Sequence, residues 1–382
     1  MLFFRLPEDF EKLMTGADQH SMIPTMKLPK SLAFLLDDAA ACVDADAFLT
    51  GLATQLTADG LPLLGGALTQ EASHPIIARR TWLWRADTGQ VIEALGFGFS
   101  VEASADESVA RVWLDGLSGF PAEADVEPTA QGARLEWVMT RPLDDAEATL
   151  LSDVSRFAAA PLAVLVARST LGALLETYLG KRSAAQVLGG QSRREHGETI
   201  RAALLYADLR GFTPLSERSP SGDVVQALDA WFDRVAGAVH AFGGEVLKFI
   251  GDGVLAIFPI GERNARSACN AAVRAVKAAQ AGMDHLNDLR RQQDAPELAF
   301  GIALHVGEIF WGNIGAADRL DFTAIGRAVN LVSRLEGLCR SLGRDVLVSG
   351  DFAGETSEKL YRLGDHELHG IAAPCSVYAI QP

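Results

Sequence analysis

Cysteine is scarce in this sequence: Cys42, Cys269, Cys339 and Cys375 are the only four in 382 residues. They form no Cys-x-x-Cys and no zinc-ligand spacing, which argues against a disulfide framework or a zinc module. They read as small core residues of a reducing compartment. Positive charge is also short. The formal net charge of −15 leaves no basic surplus to neutralise a phosphate backbone, so a nucleic-acid partner is not expected. A nucleotide screened by metal ions remains compatible with that charge. Long hydrophobic runs are missing as well. The longest, Phe157–Ala167, lies between Arg156 and Arg168 and contains Pro161. It falls short of the roughly 20 residues that cross a bilayer. The start, Met1-Leu2-Phe3-Phe4-Arg5-Leu6-Pro7-Glu8, is too soon charged for a secretory leader. A cytoplasmic protein without a membrane span is expected.

What is present suffices for two cores. Of the 382 residues, 48% are hydrophobic and 22% charged, and a domain commonly takes roughly 100–200 residues. Residues 1–30 read as an irregular arm, 31–160 as a first domain, 161–197 as a helical linker and 198–382 as a second domain. In the first domain Leu32, Leu35, Leu36, Phe48, Leu49, Leu52 and Leu56 have helical spacing, with Asp44 or Asp46 as a cap between two helices. Strands are expected at Leu61–Leu68, Arg80–Arg85, Val91–Phe99 and Arg134–Thr140. A long helix then runs from Asp144 to about Tyr178, kinked or broken at Pro161. Helix, antiparallel strands and a long exit helix weakly resemble a GAF-like sensory domain. Its regulatory ligand or partner is unknown. His74 reads as a loop histidine, and Trp82, Trp84, Trp113 and Trp137 as core. The apolar positions Leu162, Leu165, Val166, Leu171, Leu174, Leu175, Tyr178 and Leu179 suggest a helix that is packed or paired with a second copy.

In the second domain an apolar strand, Leu204–Ala207, delivers Asp208 to its tip, and Gly211-Phe212-Thr213 turns into a helical pattern. Such a tip suits a metal-bound phosphate, although Asp208 alone reads equally as a cap on the turn. A helix over Asp223–Phe242 ends at Gly243-Gly244. Strands Glu245–Ile250 and Val254–Phe258 flank Gly251-Asp252-Gly253, which by itself is an ordinary hairpin turn. Together, Asp208 and Asp252 could converge on a pair of divalent cations, and oxygen-only ligands favour Mg²⁺ or Mn²⁺. Further strands are expected at Ala299–Val306 and Glu308–Ile314. Asp321–Gly326 then leads to a helix whose Asn330 and Arg334 share a face, as a surface pair or as a grip on ribose and phosphoryl oxygens.

Three segments, Asp208–Thr213, Lys248–Gly253 and Ala328–Glu336, resemble the signature motifs of class III adenylate/guanylate cyclases, in the right order, over about residues 198–380. The resemblance implies an α/β (α+β) catalytic domain with a ferredoxin-like βαββαβ core, acting as a homodimer. It implies ATP as substrate and two Mg²⁺ (or Mn²⁺) ions held at Asp208, Leu209 and Asp252. Lys248 and Thr323 would read adenine, Asn330 would orient the ribose, and Arg334 would stabilise charge on the α-phosphate. Gly211, Phe212, Thr213 and His369 would contact the triphosphate. The Lys248–Thr323 pair favours ATP over GTP.

Two positions depart from the family pattern. His369 stands where Lys is common, which puts phosphate affinity and pH dependence in question. Glu308 stands where some mammalian relatives have Arg. Three other readings compete: a guanylate cyclase, a non-catalytic nucleotide-binding module, and a diguanylate cyclase. The last lacks its Gly-Gly-Asp/Glu-Glu-Phe hairpin, since Gly243-Gly244-Glu245 runs into Val246-Leu247.

Overall fold

The computed structural model describes residues 28–71, 77–97, 109–122, 133–191, 193, 196–261, 264–316 and 318–381. His74 and nearly all of the N-terminal arm lie outside them. The chain divides into two compact units, 1–170 and 171–382.

In the first unit α1 (Lys30–Asp37) and α2 (Ala45–Ala58) form where the apolar spacing predicts, and Phe48, Leu49, Leu52 and Leu56 are fully buried. Asp44 is the cap: its carboxylate accepts from the Ala47 amide at 2.9 Å, leaving Asp46 in the first turn. The helices accompany an antiparallel sheet of β1 (Leu63–Glu71), β2 (Ile77–Arg85), β3 (Val91–Phe97), β4 (Phe120–Ala122) and β5 (Arg134–Met139), in the order β3-β2-β1-β5-β4. The four expected strands are present, and the edge strand β4 and helix α3 (Val109–Asp115) are additions. Trp82, Trp84 and Trp137 lie in one core with α2, as the core reading expects.

Helix α4 (Asp145–Leu179) is the expected long helix and excludes a break at Pro161. It runs unbroken across Pro161. Proline removes one backbone donor, but Ala158, Leu162 and Leu165 bury the flanking turns in the core and hold the helix together. Among the described residues it is the one helix long and apolar enough to cross a membrane by length and composition, which the short apolar run within it does not reveal. Leu151, Val154, Ala158, Leu162, Leu165 and Val166 nevertheless belong to the core of the first unit. The first three apolar positions of the suggested linker helix are therefore spent on that core. Leu171, Leu174 and Tyr178 are exposed. Gly180, at φ 82°, then separates α4 from α5 (Lys181–Leu188).

The second unit is built on β6 (Gly197–Leu209), β7 (Glu245–Ile250), β8 (Gly253–Pro259) and β9 (Phe300–Gly315), with α6 (Phe212–Arg218), α7 (Ser221–Ala241) and α8 (Ala265–Gln292) between them. The spatial order β9-β6-β8-β7, all antiparallel, is the ferredoxin-like βαββαβ arrangement. The sequence reading names no element at α8, although Cys269, Val273, Val276 and Met283 have helical spacing and are buried. The chain then adds β10 (Leu320–Ile325), α9 (Arg327–Glu336), β11 (Val346–Ser349), α10 (Gly350–Glu355), β12 (Leu360–His366) and β13 (Cys375–Ile380). β11 lies parallel to β9, β13 and β12 extend that edge, and β10 folds back antiparallel on β9.

The two strands expected at 299–306 and 308–314 are one. β9 passes through Gly307 without a turn, in register with β6 from Gly197↔Gly312 to Leu209↔Phe300. Glycine stands there because of a close approach: a Cβ on Gly307 would lie 2.7 Å from the Cβ of Ala328 on α9. The sheet is covered on both faces. Leu205, Ala207 and Leu209 pack with α7 and α8, whereas Ala202 and Leu204 pack with Val332 and Leu335 of α9.

Candidate active site

Period-two alternation along β6 places Leu204, Tyr206 and Asp208 on the face toward α9. Asp208 therefore emerges half-buried at the strand tip. The β7–β8 turn brings Asp252 beside it. Burial, with the adjacent Asp252 carboxylate next, lifts the Asp208 carboxyl to about 7, and Glu336 adds to the repulsion. Two carboxylates forced together in a half-buried site form a strong demand for a cation.

The turn is held from both sides. The indole Nε1 of Trp231, fully buried on α7, donates to the Asp252 carbonyl at 2.9 Å. Gly251 adopts φ 63°, and a Cβ on Gly253 would sit 2.7 Å from the Tyr206 phenol oxygen. The Tyr206 phenol is itself pushed up to about 12, chiefly by burial and then by Asp208.

Behind the pair, Glu336 closes α9. Burial raises its carboxyl, and the neighbouring Arg210 opposes that shift. Arg210 is anchored to Asp345 at 3.0 Å and to the Arg344 carbonyl at 2.6 Å. Sequence reasoning assigned no role to Tyr206, Trp231 or Glu336. A signal existed for Tyr206, two residues before Asp208 on the same strand face. No comparable signal exists for Trp231, whose approach to Asp252 is purely tertiary.

Lys248 reaches its position through a bulge. The β7–β8 register shifts between Val246 and Lys248. Leu247 packs in the core under α9, while Phe249 stacks on Phe232 of α7 with ring centroids 4.3 Å apart. Lys248 is thereby turned to the same face as Leu247, where it pairs with Asp321 on β10. Thr323, two residues further along β10 and half-buried, has the same facing as Asp321. Lys248 and Thr323, expected to read one base together, thus lie on neighbouring elements, and Lys248 is ion-paired with Asp321.

Asn330 and Arg334 occupy the exposed side of α9, opposite Ala328, Val332 and Leu335. Gly211 takes φ 76° ahead of α6 and Thr213 is exposed, with Phe212 half-buried between them. His369 is exposed in the turn after β12.

The donor set fits a hard divalent ion. Among the described residues no three His, Cys, Asp or Glu side chains converge as a metal cluster. Asp208 and Asp252, with the Leu209 carbonyl next in the chain, leave room for the water and phosphate oxygens that Mg²⁺ retains.

Residues 195–371 match the family model described as the adenylate and guanylate cyclase catalytic domain. This segment belongs to the class III cyclase family. An adenylate cyclase of Rhizobium meliloti (strain 1021), Adenylate cyclase 1, is 31% identical over 181 residues, covering 46% of this chain and 27% of the relative. The adenylate cyclase of Anabaena cylindrica is 34% identical over 155 residues, covering 40% of this chain and 30% of the relative. The chain thus spans less than a third of either relative. Among solved structures, the adenylyl cyclase CyaB from P. aeruginosa is 26% identical, with a TM-score of 0.44 over 49% of this chain and 96% of that one.

Proposed function

We propose that the chain is an adenylate cyclase, converting ATP to 3′,5′-cyclic AMP and pyrophosphate in a homodimer, with the first unit as a GAF-like regulatory domain. The carrying observation is the half-buried Asp208–Asp252 pair, with the Asp208 carboxyl lifted to about 7 by burial and by its neighbour. The relatives named adenylate cyclases support the choice of nucleotide.

Asp208, Asp252 and the Leu209 carbonyl would hold two Mg²⁺ or Mn²⁺ ions, which supply charge neutralisation on the phosphates and acidify the ribose hydroxyl. The chain's own residues do the rest. Lys248 offers only N–H donors, which suit the acceptor N1 of adenine and oppose the N1–H of guanine. Thr323 accepts from the adenine amino group. Asn330 orients the ribose so that its 3′-oxygen lies in line with the α-phosphorus. The new O–P bond forms as the bond to the β-phosphate oxygen breaks, pyrophosphate leaves, and the hydroxyl proton passes to solvent. Arg334 stabilises the charge that builds on the α-phosphoryl oxygens. Gly211, Phe212, Thr213 and His369 contact the triphosphate.

Asn330 and Arg334 face outward on α9, whereas Asp208 lies at the tip of β6 and Asp252 in the β7–β8 turn. The site is accordingly completed between two copies, with metals on one and Asn330 and Arg334 from the other. ATP as substrate places the second unit in the cytoplasm.

The test is cyclic nucleotide formation by the purified chain, offered ATP or GTP with Mg²⁺ or Mn²⁺. Cyclic AMP from ATP, lost in Asp252→Ala and in Arg334→Ala and regained on mixing the two, is expected. Cyclic GMP as the main product would overturn the base assignment. Product formation undiminished in either variant would overturn the assigned roles.

A further inference from the structure

Helix α5 begins without a cap of its own. Its N-cap is Gly180, which has no side chain to accept from the first free amides. The acceptor comes from the sheet instead. Glu245, at the start of β7, accepts the Arg182 N–H on its carboxylate at 3.2 Å, across 63 positions of sequence. Burial pushes this carboxyl up, and the Arg182 and Ser183 amides oppose that push. The helix start also lies against β7: a Cβ on Gly180 would touch the Glu245 Oε1 and the Val246 carbonyl oxygen at 3.4 Å.

The α5 segment is tied at two further points, both on β9. The Arg182 guanidinium lies over the Trp311 ring, 5.7 Å from its centroid. Past the end of the helix, the Gln191 carbonyl accepts from Nδ2 of Asn313, a residue 5% exposed. Between these ties, Ala184 is fully buried, and Val187 packs on the cluster that holds Leu247 of β7, Trp311 of β9 and Phe322 of β10.

The strands joined in this way carry the residues assigned to the base. Lys248 follows Glu245 on β7, and Thr323 is on β10, which pairs along β9 with Asn313 opposite Phe322. β7 and β9 are not neighbours in the sheet, because β8 and β6 lie between them. The Lys248–Asp321 ion pair is one tie between β7 and β10, and solvent screens it. The α5 segment is a second tie, made of a cap, a ring contact and a buried helix face.

We propose that α5 sets the spacing between Lys248 and Thr323, and that Glu245, by capping α5, is a positioning residue for recognition of the nucleotide base. This rests on the reading of Lys248 and Thr323 as base contacts. Glu245 itself touches no substrate and acts through the helix.

The experiment compares the full chain with Glu245→Ala, Glu245→Gln and Ala185→Gly. It reads hydrogen exchange of the α5 amides and steady-state kinetics on ATP and GTP with Mg²⁺. Glu245→Ala removes the acceptor, so exchange over residues 182–188 should rise about fivefold, the effect of a lost cap. The KM for ATP should rise about threefold with kcat nearly unchanged, and the ATP-to-GTP preference in kcat/KM should narrow by about the same factor, as loss of uniform binding requires. Glu245→Gln keeps an acceptor oxygen at the same reach and should retain most of the wild-type values. Ala185 is exposed on α5. Ala185→Gly weakens the helix about fivefold through propensity alone, and should reproduce the Glu245→Ala pattern with no change of charge near Lys248.

Unchanged α5 exchange in Glu245→Ala would overturn the cap. Wild-type kinetics in Ala185→Gly despite raised exchange would overturn the role of the helix. In a wild-type chain that prefers ATP, an unaltered KM and preference in Glu245→Ala would overturn the positioning role alone. A wild-type chain without an ATP preference would overturn the base reading, and this proposal with it.

Discussion

Lys248 and Asp321 are ion-paired across β7 and β10, two residues short of the threonine that the family motif pairs with this lysine. The carboxylate limits the swing of the ammonium. The side chains are 38% and 51% exposed, so the pair contributes about 0.2–1 kcal/mol rather than the value of a buried one. Asp321→Asn should raise the KM for ATP about threefold and narrow the ATP-to-GTP preference, leaving kcat nearly unchanged. Steady-state kinetics with both nucleotides check this. A kcat loss with unchanged KM would refute the positioning role.

Asp208 predicts a pH dependence. Its carboxyl is raised from the ordinary range near 4 to about 7, so between these values the folded protein holds a proton that the unfolded chain has released. Stability without metal should therefore fall as pH rises from about 4 to 7 and level off above. Allowing for partial solvent screening, the change is about 1–2 kcal/mol. Asp208→Asn should flatten the curve and raise the metal-free melting temperature at pH 8. Added Mg²⁺, which needs the carboxylate, should release protons on binding below pH 7. Calorimetry in two buffers of different ionisation enthalpy measures that release.

Trp231 holds the Asp252 turn through its indole N–H. Trp231→Phe keeps most of the packing and removes the donor, at a cost of about 1–3 kcal/mol for a partly buried carbonyl left unpaired. Urea unfolding should show that loss, and product formation should fall with it because Asp252 is no longer fixed.

Gly253 and Tyr206 form a testable pair. Gly253→Ala forces a methyl to 2.7 Å from the phenol oxygen and should destabilise the fold by about 1–3 kcal/mol. Tyr206→Phe removes that oxygen, so the double variant should recover part of both stability and activity. A strictly additive double-mutant cycle would rule the contact out as the cause.

Mixing Asp252→Ala with Arg334→Ala in equal amounts should restore about a quarter of the wild-type rate. Half of the dimers are then mixed, and each mixed dimer has one of its two sites intact. Each variant alone should lose about 100-fold or more in kcat. A mixture no more active than its parts would show that the site is not shared.

The helices α2 and α7 and the strands β1, β2, β3 and β5 were readable because period 3.6 and period 2 apolar patterns are local properties of the chain, whereas the βαββαβ order came with the family resemblance alone. The positions of Asp208 and Asp252 were equally readable, since a strand tip and a Gly-Asp-Gly turn announce themselves. Other features depend on residues far apart in sequence. Gly307 looks like a strand break until Ala328 of α9 is seen against it. Pro161 looks like a helix break until the core around Leu162 and Leu165 is seen to hold both flanking turns.

By itself, then, the sequence determined most of the elements and the strand tip and turn that carry Asp208 and Asp252, because short-range periodicity and turn chemistry encode both. Only the tertiary structure decided that Lys248 meets Asp321 and that Trp231 braces Asp252. A bulge and a buried indole arise from packing between distant segments, where the free energy depends on contacts that no local pattern contains.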